Sequence, residues 1–185
     1  MTAGEIFKKL REALDEADVL YFVTGSFVSS AHGVPRSTND IDIIIAPTRE
    51  QLTALLAAFP EAEYYSDRED AFDALMHRSQ FNVIDQQTFW KVDFIVSKDE
   101  PFDRARFERR RLTEIAGVNV YAASPEDIIV AKLRWSKMGA SERQLEDAAG
   151  VIRMQGHQLD TSYVTKWVEL LQLEEQWKAA LQRAG

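Results

Sequence analysis

Two short runs of apolar residues constrain the fold of this chain more than any other feature. Residues 19–23 (VLYFV) and 41–46 (IDIIIA) are apolar on nearly every position, as strands buried inside a sheet are. The first run ends at Thr24-Gly25-Ser26, and Asp40 stands immediately before the second. The chain therefore places polar residues at the ends of two interior strands.

The rest of the pattern predicts strands mixed with helices up to about residue 122 and helices only beyond it. Predicted strands lie at 81–85 and 90–96, with two more around the Gly117 turn within 112–121. We predict helices, some with an amphipathic stripe, at 5–17, 27–32, 47–59, 71–77, 101–109, 124–138, 142–155, 160–171 and 173–183.

This order predicts an α+β fold, with a mixed sheet flanked by helices and a C-terminal helical bundle. We expect a core of residues 1–122 and a helical region, 123–185, packed on it. Gly33-Val34-Pro35 should end the second helix, and residues 36–39 should form a polar loop.

Composition limits the classes of function. The chain of 185 residues has no cysteine, three histidines without metal-ligand spacing and a net charge of -8. No apolar run approaches the ~20 residues of a membrane span, and the acidic, amphipathic N-terminus is unlike a signal peptide. We therefore expect a cytoplasmic protein without a membrane partner. The negative charge argues against broad nucleic-acid binding and leaves room only for a local basic groove.

Asp40 and Asp42 are candidate metal ligands. Side chains alternate along a strand, so both carboxylates should point to one face while Ile41 and Ile43 point to the other. Clustered carboxylates repel each other, and a divalent cation relieves that repulsion. Magnesium suits such a site because it takes one or two carboxylates together with substrate phosphates. The alternative is a solvated strand end, where alternating acids occur by chance.

Gly25-Ser26 are candidate phosphate-binding residues. Glycine permits close approach of the backbone, and the start of a helix presents free N–H groups and the positive end of its dipole. The alternative is a plain turn with a serine N-cap.

Together these residues resemble the signature of the polymerase-β-type nucleotidyltransferase superfamily. The pattern is Gly25-Ser26, thirteen intervening residues, and then Asp40-Ile41-Asp42. Residues 36–42 (RSTNDID) are similar to the form found in small bacterial members, including toxins of abortive-infection systems. Residues 127–133 and 141–147 resemble two helices of the same group, and the likeness covers roughly residues 19–155.

The resemblance implies a metal-dependent transfer of a nucleotidyl group from a nucleoside triphosphate to an acceptor hydroxyl. Asp40, Asp42 and, from a neighbouring strand, Asp93 would hold Mg²⁺, with Mn²⁺ as an alternative. Gly25, Ser26 and Lys132 would hold the nucleotide. The acceptor is open among transfer RNA, other RNA, protein and small molecules. A second hypothesis is a nucleotide- or partner-binding module with little turnover, such as one component of a toxin–antitoxin pair.

The roles of Asp93 and Lys132 each have more than one interpretation. Asp93 shares its strand face with Lys91 and Ile95, and it could instead point outward from an edge strand. Lys132 falls on the apolar arc of its helix, where it could snorkel to water or point to phosphates.

Surface roles are the simpler interpretation elsewhere. Arg143 and Asp147 have the i, i+4 spacing of a surface ion pair, although they could instead brace Lys132 or the nucleotide. The arginines within 104–111 predict a solvated face, with a groove for acceptor RNA as the alternative. Three tryptophans on helical stripes are predicted core residues: Trp135, Trp167 and Trp177.

Overall fold

A mixed seven-stranded sheet lies at the centre of the computed structural model, which describes residues 2–33, 39–139 and 141–185. The strand order is β3-β4-β5-β2-β1-β7-β6. The strands are β1 (Tyr21–Thr24), β2 (Asp40–Ile45), β3 (Tyr64–Ser66), β4 (Gln80–Asp85), β5 (Lys91–Val96), β6 (Arg111–Ile115) and β7 (Val118–Ala122).

Helices flank the sheet and form the C-terminal third of the chain. They are α1 (Ala3–Glu16), α2 (Gly25–His32), α3 (Arg49–Ala57), α4 (Arg68–His77), α5 (Pro101–Arg109), α6 (Pro125–Gly139), α7 (Glu142–Gln155), α8 (Thr161–Leu171) and α9 (Glu174–Ala184). A short 3₁₀ helix, Gly156–Gln158, follows α7. None of the helices described is long and apolar enough to cross a membrane.

The predicted α+β fold with a mixed sheet and C-terminal helices is confirmed. The helix expected at 71–77 begins earlier, at Arg68, because the carboxylate of Asp67 caps it. That carboxylate accepts the backbone N–H groups of Glu69 and Asp70 at 2.8 and 3.2 Å. Gly33 ends α2, as expected, whereas Val34, Pro35 and the loop residues 36–38 lie outside the described residues.

The middle of the sheet is formed by β2, which pairs antiparallel with β1 and parallel with β5. One face of β2 is fully buried, since Ile41, Ile43 and Ile45 have no exposed surface. On the same face, Phe94 of β5 packs against Phe59 with ring centroids 6.2 Å apart. This apolar face fixes the register of β2, because a slip of one residue would bury its acids instead.

A buried carboxylate joins the C-terminal helices to one another. Asp127, at the start of α6, has no exposed surface and accepts the hydroxyls of Ser124 at 2.9 Å and of Tyr163 on α8 at 2.6 Å. Burial raises the pKa of Asp127, and the two hydroxyl donors oppose that rise. The boundary at residue 122 between the core and the C-terminal helical region stays a prediction.

Two of the three tryptophan predictions agree with the structure. Trp167 is buried and Trp177 packs partly buried against the core. The prediction for Trp135 is wrong, because its side chain is 55% exposed in the last turns of α6. A helical stripe identifies a face, but it does not show that a neighbouring element covers the whole length of that face.

Candidate active site

A row of polar side chains crosses the face of the sheet opposite the buried isoleucines. Asp42 on β2 is in register with Thr24 on β1 and with Asp93 on β5. Residues in register on neighbouring strands point to the same face, with backbones about 4.8 Å apart. Asn82 on β4 continues the row, because it is in register with Asp93. The structure thus brings together two of the three predicted carboxylates.

The turn from β1 into α2 lies directly against Asp42. Gly25 has a φ of +69°, and a Cβ atom added to it would lie only 1.8 Å from Oδ2 of Asp42. The next residue, Ser26, donates its backbone N–H to the Asp42 carboxylate. Glycine is therefore required here for two reasons, a positive φ and the close approach of a side chain.

The surroundings of Asp42 raise the pKa of its carboxyl. Burial raises its pKa most, and the charges of Asp93 and Asp40 raise it further. The positive charge of Lys132 and the hydrogen bond from Ser26 lower the pKa, but they do not cancel the rise. The ionised form of Asp42 is therefore costly in the protein without a ligand.

Asp93 does not lie on an edge strand, because β5 pairs with β2 on one side and β4 on the other. That alternative is wrong. Its side chain is 13% exposed, and its Oδ2 accepts a hydrogen bond of 2.8 Å from Nζ of Lys91. Lys91 is two residues earlier on the same strand and the same face, so a charge-assisted pair forms along β5.

Asp40 begins β2, is exposed, and is in register with Lys91, one row away from Asp42 and Asp93. Among the described residues, no three acidic or histidine side chains converge closely enough to hold a metal ion. The donor chemistry nevertheless suits a hard divalent cation. Carboxylate oxygens lie side by side on two strands, one of them already binds an ammonium group, and Asp42 has an unfavourable charge.

Lys132 is buried on α6, so the alternative that it snorkels to water is wrong. Its Nζ binds Oδ2 of Asp147 on α7 at 2.8 Å, with side-chain exposures of only 7% and 12%. Asp147 therefore braces Lys132, and the simpler interpretation of Asp147 as one half of a surface pair is wrong. Arg143 is exposed. Lys132 is still near enough to Asp42 to lower the pKa of that carboxyl.

The arginines of α5 do not form one solvated face. Arg106 is buried and binds Asp103, and Arg109 donates to Glu126 at 3.1 Å. Only part of the predicted basic cluster, including Arg104, is exposed. Because acidic partners neutralise these inward arginines, they are not available to a nucleic-acid backbone, and the RNA-groove interpretation loses its main support.

For two residues of this face the sequence pattern predicted no role at the site. Lys91 carried a usable signal, since an i, i+2 spacing on a strand places it beside Asp93. Asn82 carried none, because its position opposite Asp93 depends on the pairing of β4 with β5. Arg36 and Thr38 of the predicted motif lie outside the described residues.

Several solved structures share this fold. The antibiotic-resistance factor ANT(2'')-Ia is 16% identical with a TM-score of 0.58, and the alignment covers 96% of this chain and 93% of that one. The lincosamide antibiotic adenylyltransferase LnuA, bound to lincomycin, is 13% identical with a TM-score of 0.55 and coverages of 82% and 96%. An antigenic nucleotidyltransferase-like protein from Paracoccidioides brasiliensis is 18% identical with a TM-score of 0.52 and coverages of 94% and 91%.

No protein-family model matches the sequence, and no curated protein is similar enough in sequence to match. The structural comparisons show that this chain shares the fold of an antibiotic-resistance factor, an adenylyltransferase and a nucleotidyltransferase-like protein, as the predicted resemblance implies. The further likeness to abortive-infection toxins stays a prediction.

The contact between Gly25 and Asp42 predicts a graded effect of added methyl groups. Gly117 provides a matched control, since its φ is +80° but nothing lies within 4 Å of an added Cβ. Gly117→Ala should cost about 1–2 kcal/mol of unfolding free energy from backbone strain alone. Gly25→Ala should cost roughly 1–3 kcal/mol more, because the Asp42 side chain must move. Urea denaturation measures both values, and equal costs would show that the turn does not press on Asp42.

The raised pKa of Asp42 predicts how Asp42→Asn changes stability with pH. The unfolded carboxyl titrates near ~4, so the native state holds its proton more tightly, and stability is lost as pH rises through the native pKa. Asparagine does not titrate. We therefore compare the melting temperatures of Asp42→Asn and wild type with a metal chelator present. The difference, variant minus wild type, should be larger at pH 7 than at pH 4.

The control for this comparison is Asp73→Asn, which removes the same charge from an exposed position on α4. A large destabilisation of Asp42→Asn at pH 7, or a pH dependence no different from that of the control, contradicts the electrostatic interpretation.

Proposed function

We propose that this protein is a metal-dependent nucleotidyltransferase, which moves a nucleotidyl group from a nucleoside triphosphate to an acceptor hydroxyl and releases pyrophosphate. The observation that carries the proposal is the register of Asp42 with Asp93 on adjacent parallel strands, beside the Gly25-Ser26 turn. The shared fold with an adenylyltransferase and with a nucleotidyltransferase-like protein supports it.

Each carboxylate has a distinct proposed task. Asp40 and Asp42 hold Mg²⁺, or Mn²⁺ in its place, and Asp93 is the third ligand. When bound there, the ion would supply charge stabilisation at the transferred phosphoryl group. Asp93 also accepts the proton of the acceptor hydroxyl, since it is the ligand farthest along the row from the phosphate-binding turn.

The phosphates are held by the start of α2. Gly25 lets the backbone approach the substrate, and Ser26 with its neighbouring N–H groups donates hydrogen bonds at the positive end of the helix dipole. Lys132 adds a positive charge from α6, and Asp147 fixes where that charge lies. Phosphoryl chemistry of this kind depends mainly on positioning and charge stabilisation, which these residues supply.

Two of the solved structures that share this fold suggest which acceptors to test first. ANT(2'')-Ia has been solved in complex with adenylyl-2''-tobramycin, and LnuA with lincomycin. Small hydroxyl-bearing molecules are therefore the first acceptors to test, followed by transfer RNA and protein. An antitoxin partner remains part of the second hypothesis, a nucleotide-binding module with little turnover. The pair Asp42 and Asp93 favours turnover, because a site that had lost its activity would have no physical reason to keep such costly clustered acids.

The test follows the label from the triphosphate. The protein is incubated with magnesium and each nucleoside triphosphate, labelled on the α- or the γ-phosphate, together with cellular RNA, cellular protein or small hydroxyl compounds. Wild type should transfer the α-label and not the γ-label. Asp93→Asn should reduce the transfer by at least about 100-fold, since both a metal ligand and a proton acceptor are lost.

Asp73→Asn, which removes an exposed carboxylate of α4, should transfer the label at the wild-type rate. Transfer of the γ-label would identify a phosphotransferase instead. Binding of nucleotide without any labelled product would favour the second hypothesis.

A further inference from the structure

Lys91 occupies the basic corner of a four-residue charged patch. The patch consists of Asp40 and Asp42 on β2 with Lys91 and Asp93 on β5, in register as Asp40–Lys91 and Asp42–Asp93. All four side chains share one face, and the two strands are about 4.8 Å apart. An ammonium group therefore lies among the three carboxylates that we propose as metal ligands.

The contact within the patch is specific. Nζ of Lys91 lies 2.8 Å from Oδ2 of Asp93, and the Asp93 side chain is 13% exposed. A charge-assisted hydrogen bond to a mostly buried carboxylate orients that carboxylate along β5, toward Lys91. A metal ion held by Asp42 and Asp93 would compete with this ammonium group for the Asp93 carboxylate.

Lys91 differs from the other lysine near the site in its freedom to move. Its side chain is 37% exposed, whereas Lys132 is 7% exposed and bound to Asp147. A partly exposed lysine has a flexible side chain and can move its ammonium group out into the solvent at a low cost in free energy. Lys132 has no such route.

We propose that Lys91 is an internal counterion, which holds Asp93 in the metal-free protein and is displaced from it when a divalent cation binds. This inference rests on the proposed function, because it assigns Asp93 to the metal. Lys91 is a positioning residue: it limits the repulsion between Asp42 and Asp93 while the site lacks a metal, and it lowers the affinity for the metal alone. A triphosphate then contributes the additional ligands that favour the exchange.

The experiment measures binding of Mn²⁺ to the full chain without nucleotide, from the electron paramagnetic resonance signal of the free ion. Lys91→Met keeps the stem and removes the charge, so Mn²⁺ should bind about tenfold more tightly. Lys91→Arg keeps the charge and should bind within about twofold of wild type. Lys98→Met is the matched control, since it removes the same charge from an exposed position roughly 20 Å along the chain.

Thermal unfolding provides a second readout. Metal-free Lys91→Met should melt below wild type, and added Mn²⁺ should raise its melting temperature more than that of wild type. If the methionine variant does not fold, Lys91→Gln takes its place in both measurements.

The outcomes separate this inference from the proposed function. Mn²⁺ binding by wild type, with Lys91→Met no tighter than Lys98→Met, overturns the counterion role and leaves the metal site intact. Unchanged Mn²⁺ affinity with weakened triphosphate binding would make Lys91 a phosphate ligand and also overturns it. No Mn²⁺ binding by wild type and no transfer of the α-label overturn both proposals.

Discussion

The site depends on one unfavourable interaction, the repulsion between Asp42 and Asp93. The parallel pairing of β2 with β5 places them in register, and the buried isoleucines on the other face of β2 prevent a slip that would separate them. Burial and this repulsion together raise the pKa of Asp42. The packing energy of the sheet thus holds two like charges together, as is common where a protein binds a cation.

Three positive or donor groups surround the pair and limit its cost. The backbone N–H of Ser26 donates to Asp42, Lys132 lowers the pKa of that carboxyl from α6, and Lys91 binds Asp93. They come from three different elements, so α2, α6 and β5 are all tied to the same face of the sheet. Under the proposed function, the nucleotide and the metal would contact the same groups that stabilise the free protein.

The sequence alone predicted β2 correctly. Its apolar residues alternate with acids at the start of the strand, and few other structures bury such a pattern. Periodicity placed Lys132 on the apolar arc of its helix but could not decide between snorkelling and burial. The pairing with Asp147 was only the less simple of two interpretations, because that residue comes from a different helix. The arginines of α5 show the limit most clearly. Arg106 and Arg109 belong to one basic cluster in the sequence, but their acidic partners, Asp103 and Glu126, neutralise them in the fold. The prediction that Trp135 is a core residue was wrong for a related reason, because coverage of a helix by its neighbours depends on the tertiary structure. Asp93 was found through the likeness to a superfamily and not through its own neighbours.

The central claim is that the aspartates and the Gly25-Ser26 turn bind a triphosphate through a divalent metal. Isothermal titration calorimetry of each nucleoside triphosphate, in magnesium and again in chelator, tests it most directly, with Asp42→Asn as the comparison. The account predicts that magnesium tightens binding to wild type by at least about tenfold, since phosphate oxygens complete the metal's coordination. It also predicts that Asp42→Asn loses most of this gain. Equal affinity of wild type in magnesium and in chelator would contradict the account.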